Sequence, residues 1–139
     1  MTTPREYRGR PVVPGYAEGE VVVVESISFY GDVNVDTGVL VDGRSIAGKI
    51  LLARRSRGST VGPYILYALR RKGKAPKAII LTSRSDPVLV AGAVIAGITL
   101  VDSVPEDVLR FAVDGDRIVV REDGGVIVSP PIIKRNTGV

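Results

Sequence analysis

Residues Ala53 to Thr60 read Ala-Arg-Arg-Ser-Arg-Gly-Ser-Thr and gather three arginines, a glycine and adjacent hydroxyls in eight positions. An apolar run, Lys49 to Leu52, precedes them, and Val61 to Arg71 follows with helical spacing. A strand-to-helix corner of this kind can hold an anion, because backbone N–H groups at a helix start have no partner within the helix. Gly58 and Gly62 allow close backbone approach. Ser59 and Thr60 offer hydroxyls, and Arg54, Arg55 and Arg57 can fork onto phosphate or carboxylate oxygens. The same residues admit a purely structural reading, in which Ser59 or Thr60 caps the helix and the arginines form a solvated rim. No Gly-Lys-Ser/Thr closes the segment, so it is not a P-loop.

Two further polar clusters stand out. Asp32, Asn34 and Asp36 alternate, which would place them on one face of an extended segment. The glycine and terminal glutamate of a calcium loop are missing, so a turn-rich loop is the simpler expectation. Thr82-Ser83-Arg84-Ser85-Asp86 follows an apolar strand and precedes an apolar helix. In a parallel sheet this loop lies on the same edge as the arginine corner, which makes Ser83, Arg84 and Ser85 neighbours of Ser59. Their favoured role is helix capping.

Composition removes whole classes of chemistry. The chain has no cysteine, which excludes disulfides, a thiol nucleophile and thiolate ligation of an iron–sulfur cluster by this chain. It has no histidine, which removes His-based triads and the usual zinc sites. Acid–base work falls to Asp, Glu, Lys, Tyr or an activated Ser. A net charge of +4 admits an anionic partner. Aromatics at 5% with no tryptophan disfavour a single-strand stacking platform. No apolar run is long enough for a membrane span, and MTTPREYRGR lacks a secretory apolar segment, so a cytoplasmic protein is expected.

The elements that must position the corner follow from patterning. At 139 residues and 45% hydrophobic content the chain fits one domain, 1–139. Residues 1–19 read as an N-terminal arm with a short edge strand at Val12-Val13, and 131–139 as a tail. Strands are expected at Val21–Val24, Val39–Val41, Lys49–Leu52, Ala78–Leu81, Ile98–Val101, Arg117–Val120 and Val126–Val128. Ser28–Thr37 reads as a loop or irregular strand. Helices are expected at Val61–Arg71, Pro87–Ala96 and from Pro105 to Ala112. Asp123-Gly124-Gly125 marks a hairpin. Two β–α–β steps imply parallel pairing in the middle, flanked by antiparallel strands, an α/β protein built as a mixed β/β/α sandwich.

Gly31–Gly43, Ile46–Leu66, Lys74–Ile98 and Val113–Val120 together resemble the small subunit of the aconitase X group, across roughly residues 20 to 128. The resemblance implies the swivelling β/β/α domain of aconitase-like enzymes. It implies a partner, a large catalytic subunit that carries an iron–sulfur cluster, and no cofactor bound by this chain alone. It implies Ser59 as proton acceptor, with Gly58 and Thr60 lining the substrate. The implied reaction is loss of water from (R)-5-phosphomevalonate, giving trans-anhydromevalonate 5-phosphate in a modified mevalonate pathway. One departure matters: aconitases proper continue this corner with Ser-Arg-Glu-His, whereas here it runs Thr60-Val61-Gly62-Pro63. Their carboxylate-binding arginine has no counterpart at that position. Arg54, Arg55 and Arg57 are therefore substrate-binding candidates from this sequence alone.

Serine is a weak base. Each unit of pKa lowering requires about 1.4 kcal/mol of preferential alkoxide stabilisation. A helix terminus contributes roughly 0.3–1 kcal/mol, and about 2 when partly buried. Nearby cations and a dry site completed by another chain must supply the rest. Two other readings stand beside this one. Related aconitase X proteins dehydrate a hydroxyproline. A non-catalytic or nucleic-acid interaction module is compatible with the basic charge but not favoured by the scarcity of aromatics, so the expected partners are a large subunit and a phosphorylated small molecule, with no nucleic acid and no membrane.

Overall fold

The computed structural model describes residues 3–58 and 60–131. Ser59, and the expected tail after Pro131, lie outside the described residues.

The strands are β1 (Arg5–Arg8), β2 (Arg10–Val13), β3 (Ala17–Ile27), β4 (Ile50–Ser56), β5 (Ala78–Leu81), β6 (Thr99–Asp102), β7 (Arg117–Val120) and β8 (Gly125–Ser129). The helices are α1 (Phe29–Asp32), α2 (Gly62–Arg71), α3 (Pro87–Ala96) and α4 (Asp107–Phe111). The strands form one sheet in the order β1-β8-β7-β3-β4-β5-β6-β2. Its two outermost strands, β1 and β2, are separated in sequence by Gly9 alone, so the sheet must curl until its ends meet. The Gly9 N–H donates to the Gly124 carbonyl at 2.9 Å across that closure. A Cβ on Gly9 would come within 2.7 Å of the Asp102 carbonyl, which explains the glycine.

The long strand β3 joins the two halves. Ala17 to Glu20 pair antiparallel with β7, and Val21 to Ile27 pair parallel with β4. The expected mixed sheet, parallel in the middle and antiparallel outside, is observed, with β3 shared between the halves. Alternation divides the core. Ile50, Leu52, Ala78, Ile80 and Val101 face inward with Tyr7, Ile118, Val126, Val128 and α4. Leu51, Ala53, Ile79, Leu81 and Leu100 face α1, α2 and α3. The period of two along these strands buries both faces at once.

The structure alters several expected elements. The N-terminal arm is built into the sheet: β1 pairs with β8, and β2 with β6. The expected loop at Ser28 begins with the single helical turn α1. The expected strand at Val39–Val41 reduces to isolated bridges, Val33 to Leu40 and Val39 to Ser45. Most consequential is β4, which runs on through Ala53-Arg54-Arg55-Ser56 because its pairing with β3 continues to Ile27.

Both parallel-layer helices have clear sequence causes. In α2, Leu66 and Leu69 are buried, Pro63 occupies the first turn, and Arg70 and Arg71 close the end where the helix dipole favours cations. In α3, Asp86 caps the start, Pro87 opens the helix, and Gly97 ends it at φ 70° in the left-handed region.

Candidate functional site

The corner after β4 lies at the carboxyl edge of the parallel strands, where its loop and that after β5 run side by side. Two ties hold these loops together. At one end the Ser83 N–H and hydroxyl both donate to the Arg54 carbonyl, at 2.9 and 2.7 Å. At the other, the Ser56 hydroxyl donates to Asp86 Oδ2 at 3.1 Å, and a Cβ at Gly58 would lie 3.5 Å from the same oxygen. Asp86 Oδ1 meanwhile accepts from the Leu89 N–H at 2.9 Å, capping α3. One half-buried carboxylate thus caps a helix and holds the Ser56 side chain, two residues before Gly58.

The three corner arginines separate. Arg54 donates Nε to Glu25 at 2.6 Å and lies 2.7 Å from Glu106, which stitches β3 and the start of α4 to β4. Arg57 meets Asp32 at 2.8 Å and the Ser26 hydroxyl, and its N–H donates to the Ile27 carbonyl at 2.8 Å. Asp32 also accepts from the Ser28 N–H at 2.8 Å, so it secures α1 and Arg57 together. Arg55 projects from the strand, exposed, and has no carboxylate partner among the described residues.

Gly58 and Thr60 are exposed. The N-cap position of α2 is Val61, which has no polar side-chain atom with which to cap, so Thr60 is not the cap. A narrow crevice of about 20 Å³ lies below, between α2 and α3, with Ser56, Gly58, Pro63, Asp86 and Gly92 on its walls. That is room for one water. The helices pack tightly at Gly92, where a Cβ would stand 3.1 Å from the Pro63 Cα.

The favoured capping role of Ser83, Arg84 and Ser85 is replaced. Asp86 caps α3, Ser83 bonds Arg54, and Ser85 bonds Asp102 through its N–H at 2.7 Å and its hydroxyl at 2.6 Å. Asp32, Asn34 and Asp36 do not share a face. Asn34 Oδ1 accepts from the Asp36 and Thr37 N–H groups in a turn, and Asp36 pairs with Lys72. Among the described residues no group of acidic side chains is placed to hold a metal. With no cysteine or histidine either, this chain does not fit an iron–sulfur cluster.

A family profile described as the aconitase X swivel domain matches residues 6–129. The chain belongs to the aconitase X swivel-domain family. The phosphomevalonate dehydratase small subunit of Aeropyrum pernix is 49% identical over 125 residues, spanning 90% of this chain and 94% of that one. The protein of that name in Methanothrix thermoacetophila is 46% identical over 132 residues, spanning 90% and 95%. The holo-form crystal structure of Thermococcus kodakaraensis aconitase X matches with a TM-score of 0.81 at 41% identity, over 89% of this chain and 98% of that one. In this aconitase X swivel domain, sequence reasoning overlooked Asp86. The signal was present, since an Asp directly before Pro87 and an apolar helix is a capping pattern.

Proposed function

We propose that this chain is the small subunit of a phosphomevalonate dehydratase, a cytoplasmic hydro-lyase of a modified mevalonate pathway that works only with a large subunit. The supporting observation is near full-length similarity to proteins of that name, at 46–49% identity and with 94–95% of their length covered. Among the described residues no helix is long and apolar enough to cross a membrane. Nucleic acid has no part in this reading.

Dehydration removes a proton from the carbon beside the carbinol carbon, forms the double bond and expels the hydroxyl, the proton and the hydroxyl together making up the water lost. We assign the proton-accepting role to Ser59, with Gly58 and Thr60 lining the substrate. The corner supports this by presenting exposed backbone at the start of a ten-residue helix whose N-cap residue offers no side-chain acceptor. Arg54 and Arg57 hold the corner through Glu25, Glu106 and Asp32 rather than facing solvent unpaired. An iron–sulfur cluster would be held by the large subunit, where it would supply Lewis acidity toward the hydroxyl. This chain binds, orients and takes the proton.

The test is reconstitution with the large subunit encoded in the same organism, assayed on (R)-5-phosphomevalonate and on hydroxyproline. Turnover of the phosphorylated substrate is expected. Turnover of the hydroxyproline alone would reassign the chain to the other aconitase X dehydratases.

A further inference from the structure

The two ties between the loops enclose a short stretch of each. Arg55 lies on one stretch, between the Arg54 carbonyl and Ser56, and Arg84 lies on the other, between Ser83 and Asp86. Both are exposed, and neither guanidinium has a carboxylate partner among the described residues. Their neighbours Arg54 and Arg57 are neutralised by Glu25, Glu106 and Asp32, so the unbalanced positive charge of this edge resides on Arg55 and Arg84. The Asp86 carboxylate, on the crevice wall, already accepts from Ser56 and Leu89. We propose that Arg55 and Arg84 form a two-arginine subsite for a phosphate monoester dianion, the group that anchors the substrate beside the corner.

The chemistry follows from the fork. A guanidinium stays charged at any physiological pH and gives paired donors that match phosphate oxygens. Two of them, carried on neighbouring backbones fixed by three hydrogen bonds, meet a dianion without first breaking ion pairs. Recruiting Arg54 or Arg57 would require such a break. The subsite also separates a phosphorylated substrate from a zwitterionic one, which has no dianion to place there.

The proposal rests on the dehydratase reading, and the experiment distinguishes their failures. The assembled enzyme is assayed on (R)-5-phosphomevalonate and on unphosphorylated mevalonate, with Arg55→Gln, Arg84→Gln and the double variant. Each single variant should raise KM for the phosphorylated substrate by about 10- to 100-fold with kcat little changed, the pattern of lost uniform binding. The double variant should no longer prefer the phosphorylated substrate. Arg55→Lys, which keeps the charge and loses the fork, should fall between. Arg110→Gln, an exposed arginine on α4, controls for general charge. Unchanged melting temperatures would show that the effect is on binding. Wild-type KM values in the double variant would overturn the subsite while leaving the dehydratase reading intact. A wild-type assembly inert on phosphomevalonate would overturn both.

Discussion

The Arg10 guanidinium grips the Asp102 carboxylate with both arms, Nε to Oδ1 at 2.9 Å and the terminal nitrogen to Oδ2 at 2.7 Å. Asp102 is fully buried, while the Arg10 side chain is 44% exposed. The pair joins edge strand β2 to β6 at the curl's closure, and Asp102 also accepts from Ser85 and from the Ser103 hydroxyl at 3.0 Å. Ser103 adopts φ 59°, a left-handed conformation, with its N–H on the Ser83 carbonyl at 3.2 Å. One carboxylate therefore connects the sheet closure to the loop beside the candidate site.

Asp102→Ala should destabilise the fold by about 3 kcal/mol, since it strands the Ser85 N–H and removes the anchor of β2. Urea denaturation of the isolated chain measures this. Asp102→Asn, which keeps the shape, should cost less.

The same residue sets an acid limit. Burial alone would raise the Asp102 pKa, but Arg10, Ser85 and Ser103 outweigh it and hold the carboxyl below its ordinary value of 3.8. The contribution is therefore complete above that ordinary value and is lost as pH falls through the lower folded value. Stability of the wild type should fall on acidification below about pH 4, and Asp102→Asn should flatten that part of the curve.

Asp86→Ala should cost about 1 kcal/mol through the lost cap of α3. It should also release Ser56 and the backbone near Gly58, lowering turnover of the assembled enzyme more than the stability loss explains. Asp86→Asn, which can still cap, should recover stability. Thermal melts and assays on the two variants separate these effects.

Gly92→Val should cost about 1–3 kcal/mol, because its side chain would be driven into Pro63 at the α2–α3 contact. Calorimetry reads the loss. Gly62→Ala is the comparison, since among the described residues no atom outside its own helix and chain neighbours lies within 4 Å of a Cβ there, and it should change stability far less.

How far the fold was legible depended on punctuation and locality. The bounds of β5, α3 and β7 could be read directly, because prolines, glycines and unbroken apolar runs delimit them. Strand β1 could not. Only Tyr7 of its four residues is buried, and its partner β8 lies more than a hundred residues away, so no local pattern announces it. Arg54 and Arg55 look like loop residues, yet they extend β4 because its pairing with the long strand β3 continues to Ile27, a partner that no local pattern reveals. At the site, residue types located the corner but could not say which arginines carry carboxylate partners. Glu25, Asp32 and Glu106 come from three separate elements, and only the fold brings them to Arg54 and Arg57.

The central claim, that this chain supplies a proton-accepting serine to a site completed by another subunit, is tested most directly by Ser59→Ala in the reconstituted pair. Dehydration of (R)-5-phosphomevalonate should be absent for either wild-type subunit alone and present for the two together. Ser59→Ala should still assemble with the large subunit and should lose about 10²- to 10⁴-fold in kcat, the range for a missing general base. Full turnover by the small chain alone, or wild-type kcat in the assembled variant, would contradict the account.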